Sequence, residues 1–298
     1  MAEKKYTPMM QHYLKMKEEN PDAILFYRLG DFYEMFFDDA KLASQELDLV
    51  LTGRSAGVEE KVPMCGVPFH AANSYISRLE KKGYKVAICE QLEDPSSAKG
   101  LVDRGIVKII TPGTYMDATM DAKSTNYMAS CSVSSFEITV IYCELSTGEL
   151  KYQTLQRSLV ALQKALLEQN VSELVCPMTM DKKWIAALEE MDTMLVSKHK
   201  KSNIDLQDLP LLNEIESESL KEAFALLMAY LKDTQKQHID HFLPIESMDK
   251  DKVLVMDYET KNHLELVSSQ STNAKAESLW SFMDKCQSAM GSRLLNTH

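Results

Sequence analysis

Apolar residues recur at three- and four-residue steps through the first segment, TPMMQHYLKMKEENPD, where Met9, Met10, Tyr13, Leu14 and Met16 share one face. That spacing predicts a helix, and Asn20-Pro21 stops it, because proline pushes the residue before it out of the helical region. AILFYRL, 23–29, is a short unbroken apolar run ending at Gly30, which suits a buried strand. Asp31 then opens a second helix, with Phe32, Met35, Phe36, Ala40, Ala43 and Leu47 at helical steps. LDLVLT reads as another strand and GRSAGVEEKVP as a loop. AANSYISRLEKKG is a helix with Lys81 and Lys82 in its last turn, where cations complement the helix dipole, and Gly83 as its C-cap. YKVAICEQ and IVKIITPG read as strands. Alternating elements of this kind predict a mixed α/β unit over the first 115 residues or so.

A polar connector, YMDATMDAKSTN, separates this unit from a second one. YMASCSVSSFEITVIYCELSTGELKYQTL reads as strands joined by turns, with Ser146-Thr147-Gly148 as one turn signal. SLVALQKALLEQN is a helix and SELVCP a strand ended by Pro177. The β-β-β-α-β order supports an open mixed sheet. From Asp208 to Phe242 the chain turns helical and acidic. The last segment places Leu279, Phe282, Met283, Cys286, Met290 and Leu294 on one helical face. With no partner helices after His298, that face predicts that the chain is part of a longer one. The fold class is therefore α/β, a mixed-sheet domain followed by a second α/β domain and the beginning of an α-helical one.

A hydrophobic content of 45% and a charged content of 26% fit an ordinary globular protein with a sizeable core. No stretch approaches about 18 uninterrupted apolar residues, so no membrane span is expected. The N-terminus lacks the apolar run of a signal peptide, and the six cysteines, at 65, 89, 131, 143, 176 and 286, are scattered. Both observations predict a reducing, cytoplasmic setting, and the absence of any C-x-x-C pair removes zinc-finger and thioredoxin-like readings. The net charge of −11 argues against a global attraction to nucleic acid. Its distribution changes the picture. Residues 1–115 hold 15 Lys+Arg against 17 Asp+Glu, leaving 18 against 27 for the rest, so the balances are −2 and −9. A polyanion would meet the first part, through a local patch.

The stretch FYRLGDFYEMFFDD holds six aromatic residues with Asp31 and Glu34 among them. Asp31 followed three residues later by Glu34 is a capping-box pattern, which accounts for the acid structurally. A functional reading uses the same placement. Phe32, exposed beside an acid, could wedge between base steps, which costs least where pairing is weak. A carboxyl near phosphates adds no affinity, but in its protonated form it can donate a hydrogen bond to a base acceptor. In VPMCGVPFHAANSY, Pro63, Gly66 and Pro68 predict an irregular loop, and Cys65 with His70 lack the orienting acid and oxyanion donors that nucleophilic catalysis needs. DPSSAKGLVDRGIVKIITPGT carries Lys99, Arg104 and Lys108 across a glycine-containing loop that suits phosphate contact, although it is no nucleotide P-loop. Glu144 ends a central-looking strand, where a metal-dependent nuclease would cluster several acids around Mg²⁺. Convincing companions are lacking, and Glu149, after the turn, is expected to be exposed. No catalytic residue and no metal site is assigned.

Several strings together resemble the MutS family of bacterial DNA mismatch-recognition proteins. They are TPMMQHYLKMK, FYRLGDFYEMFFDDAKLAS, VPMCGVPFHA, GYKVAICEQLEDP, AKGLVDRGIVKIITPGT and, near the end, SLWSFMDKCQSAMGSRLL. The resemblance runs from about Thr7 to Leu295 and is densest over 7–117. It implies a mismatch-recognition domain over 1–117, a connector domain similar to RNase H over 126–240, and the start of a helical lever or core domain over 250–298. It implies that Phe32 stacks on a mispaired base from the minor groove while Glu34 hydrogen-bonds that base. It implies DNA-backbone contacts from Arg104, Lys99 and Arg54. The partners implied are mismatched duplex DNA and a MutL-type repair protein met through the connector. The family's clamp, its ATPase with ATP and Mg²⁺, and its dimerisation end are not among these residues. The full-length family protein is expected to be a homodimer. Two other readings stand beside this one: an RNase H-like nuclease using Glu144, and a protein-interaction scaffold built on the acidic second part.

Overall fold

Ala23–Leu29 (β1) turns back through Gly30 and Asp31 into Phe32–Phe36 (β2), an antiparallel pair closing at Leu29↔Phe32. Gly30 lies at φ +58°, the left-handed conformation that a two-residue hairpin turn demands and that glycine adopts without a Cβ penalty. The helix expected to open at Asp31 is thus a strand, and the second helix begins only at Phe37 (α2, Phe37–Leu47). Cross-strand pairing with β1, buried from Ala23 to Tyr27, outweighs the helical spacing of Phe32, Met35 and Phe36. The capping box between Asp31 and Glu34 goes with it.

The computed structural model describes residues 6–93, 102–115, 125–205, 207–212, 217–236, 239–248, 256, 258–267, 269 and 278–297. It divides into two compact units, Met1–Tyr115 with Leu231–His238, and Met116–Tyr230 with Ile239–His298. Most of the polar connector and Lys99 lie outside the described residues.

The first unit adds Pro8–Glu19 (α1), Thr52–Arg54 (β3), Val62–Pro68 (β4), Ala72–Glu80 (α3), Lys85–Gln91 (β5) and Arg104–Ile110 (β6). Its sheet runs β3-β4-β2-β1-β5-β6, with only β1 and β5 parallel. β1 sits centrally, and Ala23 to Tyr27 are buried throughout, as their unbroken apolar run requires. Met10 and Tyr13 of α1 pack on the face carrying Leu25, Tyr27, Phe36, Ala87 and Cys89. Two further expectations need correction here. LDLVLT contributes only its last residue to a strand, because α2 runs on to Leu47 and Asp48 caps it at φ +56°. VPMCGVP is strand β4 rather than an irregular loop. Pro63 lies opposite Gly53 of the three-residue β3, and Pro68 is the last residue of its strand, positions where a missing N–H costs little.

The second unit follows the expected β-β-β-α-β order: Tyr127–Val133 (β7), Glu137–Glu144 (β8), Glu149–Gln156 (β9), Leu159–Glu168 (α4) and Val171–Pro177 (β10). Lys182–Glu189 (α5), Leu195–His199 (β11), helix Glu218–Gln235 (α6) as far as Tyr230, and the two-residue Glu246–Ser247 (β12) extend it. The sheet order is β11-β10-β7-β8-β9-β12, with β7, β10 and β11 parallel. α4 and α5 bury Leu162, Leu166, Ile185 and Leu188 on one face. On the other, α6 accepts hydrogen bonds at its backbone, Ser130 Oγ to Ala223 O at 2.9 Å and Ser132 Oγ to Ser219 O at 2.6 Å. Glu173 of β10 is fully buried and receives the hydroxyls of Ser197, at 2.6 Å, and Tyr230, at 2.5 Å.

Among the described residues, three short helices follow: Tyr258–His263 (α7), Leu279–Met283 (α8) and Ala289–Thr297 (α9). The single amphipathic helix expected over the last segment is broken at Asp284, whose carboxylate accepts from Cys286 N at 3.1 Å and from Ser292 Oγ at 2.8 Å. Side-chain acceptance of a backbone N–H competes with helix continuation there.

Candidate nucleic-acid interface

Because side chains alternate along a strand, Phe32, Glu34 and Phe36 share one face of β2, while Tyr33 and Met35 share the other. Phe36 is fully buried under α1, and Glu34 is partly covered. Phe32 stands at the hairpin tip with 46% of its surface exposed. An aromatic ring this exposed, on a strand, beside a two-residue turn, is set apart from the core that its neighbours build.

Glu34 does not cap a helix. Its carboxylate forms an ion pair with the guanidinium of Arg54 on β3, reached across β4. Gly66 of β4 lies opposite Glu34 and permits this crossing, since a Cβ there would meet Tyr33 O at 3.2 Å and Glu34 Cγ at 3.5 Å. The Glu34 side chain keeps 16% exposure and Arg54 keeps 36%, so the pair remains in reach of solvent. Two of the expected site residues are thereby brought together.

Arg104 is placed differently. It is 7% exposed, and its guanidinium donates to Arg28 O at 2.9 Å and to Val102 O at 2.8 Å while lying 5.4 Å from the Tyr27 ring. In this arrangement it ties β6 to the end of β1. Burial lowers the pKa of His12, which meets the Tyr27 hydroxyl at 3.0 Å, and the nearby Arg104 charge lowers it further.

The reverse side of the tip carries residues that periodicity did not single out. The Arg28 guanidinium stacks over the Phe69 ring at 3.8 Å from its centroid and donates from Nε to Gly30 O at 2.5 Å. Phe69 N donates to Asp31 O at 2.9 Å, and Glu90 receives the Tyr33 hydroxyl. The hairpin tip is thus braced from behind by a cation–π contact and a backbone hydrogen bond. The only sequence signal was an arginine interrupting an apolar strand one residue before its end.

The catalytic candidates are structurally committed. Cys65 is buried on β4, its thiol donates to Ala40 O at 3.4 Å, and burial pushes its pKa up to about 11. Such a thiol is a poor nucleophile. Glu144 is 4% exposed, and its carboxylate collects Ser146 Oγ, at 2.7 and 2.9 Å, with Thr147 N at 2.8 Å and the Thr147 hydroxyl. It closes the β8–β9 turn. Glu149 is half-buried rather than exposed, held by the Tyr127 hydroxyl at 2.6 Å and Lys151 at 2.8 Å. Among the described residues no three His, Cys, Asp or Glu side chains gather as metal ligands would, and no helix is long and apolar enough to cross a membrane.

Residues 7–119 match the family described as MutS domain I. Over 292 residues, 97% of this chain, the sequence is 42% identical to the DNA mismatch repair protein MutS of Bacillus licheniformis and to that of Bacillus subtilis, covering 33% and 34% of those proteins. It is 40% identical over 302 residues to the DNA mismatch repair protein MutS of Clostridium tetani, covering 34% of it. The chain spans about a third of the length of the curated relatives it matches.

Proposed function

The chain belongs to the MutS family, and from that premise we propose that its first unit recognises mispaired or unpaired bases in duplex DNA, with Phe32 as the wedge. The exposure of the Phe32 ring at the hairpin tip carries this reading. An apolar ring inserted at a base step pays the cost of unstacking, and that cost falls where pairing is already weak. Glu34, on the same face and next in line, meets the extruded base.

The ion pair with Arg54 gives Glu34 a resting partner. On DNA, Arg54 exchanges the carboxylate for a phosphate, which leaves Glu34 free to discriminate among bases. Arg104 contributes chiefly by fixing the end of β1 from which the hairpin projects, with Lys99 near it in sequence as a backbone contact. The second unit is the surface for a MutL-type partner, in the manner of an RNase H-like connector.

The test uses a full-length MutS carrying these residues, with fluorescence anisotropy on a duplex holding one mispair and on its matched counterpart at fixed salt. Phe32→Ala is expected to weaken mispair binding by about 10–100-fold, the loss of one base–aromatic stack, and to leave matched binding within about threefold. Glu34→Ala is expected to narrow the ratio between the two duplexes. Equal losses on both duplexes would refute the sensing role.

A further inference from the structure

The sheet of the second unit reverses its direction of growth at β7. The chain adds β8 and β9 on one side of it and, after α4, β10 and β11 on the other. The parallel strands β7, β10 and β11 therefore end together, at Val133, Pro177 and His199. Open α/β sheets leave a crevice beyond the carboxyl ends of their strands where the order reverses. Here it has a volume of about 260 Å³, somewhat less than the roughly 300–1,000 Å³ of sites for drug-sized ligands.

Its walls are of two kinds. Val133 and Leu226 of α6 give an apolar floor, and Met178, 56% exposed, overhangs it. Thr179, Lys200 and Lys201 form the rim. The charges there nearly cancel. Lys201 is paired with Glu222, and Lys198, just outside, faces Glu189 at 3.8 Å. Lys200 has no ion-pair partner among the described residues, and the Thr179 hydroxyl has no protein acceptor there. One uncompensated ammonium is too little for a polyanion, whose binding rests on many phosphate contacts. It matches a single anionic group.

We propose that this crevice binds a small organic monoanion, a carboxylate on a compact apolar body. Lys200 and Thr179 meet the carboxylate, and Val133, Leu226 and Met178 meet the body. This site is separate from the mismatch-sensing reading and stands without it.

Titration calorimetry of the 298-residue chain with benzoate, inorganic phosphate and benzylamine at constant ionic strength tests the assignment. Benzoate is expected to bind saturably, phosphate more weakly for want of an apolar body, and benzylamine not at all. Lys200→Glu is expected to weaken benzoate by about tenfold or more, as loss of a charge-assisted hydrogen bond does. Met178→Glu, at an exposed position, is expected to weaken it as well. Thermal melts matching the parent exclude unfolding as the cause. Absence of saturable benzoate binding, phosphate binding as tightly as benzoate, or unchanged affinity in Lys200→Glu would each overturn the proposal.

Discussion

Asp39 receives Lys17 Nζ of α1 at 2.8 Å, Leu25 N of β1 at 3.0 Å and the Tyr13 hydroxyl at 3.2 Å, so one carboxylate joins α1, β1 and α2. Removing it strands a buried N–H and an ammonium. Asp39→Ala is expected to cost about 3 kcal/mol in urea unfolding. Its neighbour Asp38 is almost wholly exposed and holds only Lys41, so Asp38→Ala serves as the near-neutral comparison. Nothing in the letters FFDD separates the two acids, because the difference lies in which one the strand-to-helix turn at Phe37 faces inward. Glu80, at the end of α3, is raised to about 7 by burial. The unfolded chain ionises it near the ordinary 4.5, so between these values the folded state binds the extra proton and stability falls as pH rises. Glu80→Gln is accordingly expected to melt above the parent at pH 8 and level with it at pH 4. Sequence left Phe32 open between a helix's apolar face and an exposed wedge, and its exposure follows from the hairpin tip instead; the partner of Glu34 was not legible at all. Arg54 is twenty residues away, and only the β2-β4-β3 ladder brings it there.

At the level of elements, hydrophobic pattern located most of the regular structure, including α1, β1, α3, β5 and the whole β7-β8-β9-α4-β10 succession. It failed where two periods fitted one string. Phe32, Met35 and Phe36 satisfy helical spacing, but Gly30-Asp31 between two apolar runs is also a two-residue hairpin signal, and β1 supplied the partner that decided it. The last segment failed for the opposite reason: a good helical period was interrupted by a local competitor, Asp284. Glycine requirements are sharper than periodicity. Gly148 lies at φ +75°, and a Cβ there would come within 2.1 Å of His241 O, in a strap that Leu243 N ties back to Gly148 O at 2.9 Å. Gly148→Ala is expected to destabilise the second unit by about 2–3 kcal/mol and to speed amide exchange over 241–245. A cost below about 0.5 kcal/mol would mean that the strap is already loose in solution.

Across the whole chain, charge separates what sequence alone could only apportion. The first 115 residues are nearly balanced, and the remainder carries the acidity. Arg28 and Arg104 of the first unit are taken up in its own packing, and Arg54 is taken up by Glu34. On the proposed reading Arg54 and Lys99 alone meet phosphates, so any affinity of the isolated chain for matched duplex is expected to be weak and to change little with salt. The hairpin tip has a mechanical corollary. A two-residue turn braced from behind by Arg28 and Phe69 holds the backbone that carries the ring at position 32. A stiff probe gauges the compliance of whatever it presses on. On the proposed reading, a fully paired duplex rich in yielding TA steps would then compete against a mispair better than an A-tract of equal length, because softness, rather than the identity of any base, is what such a probe registers.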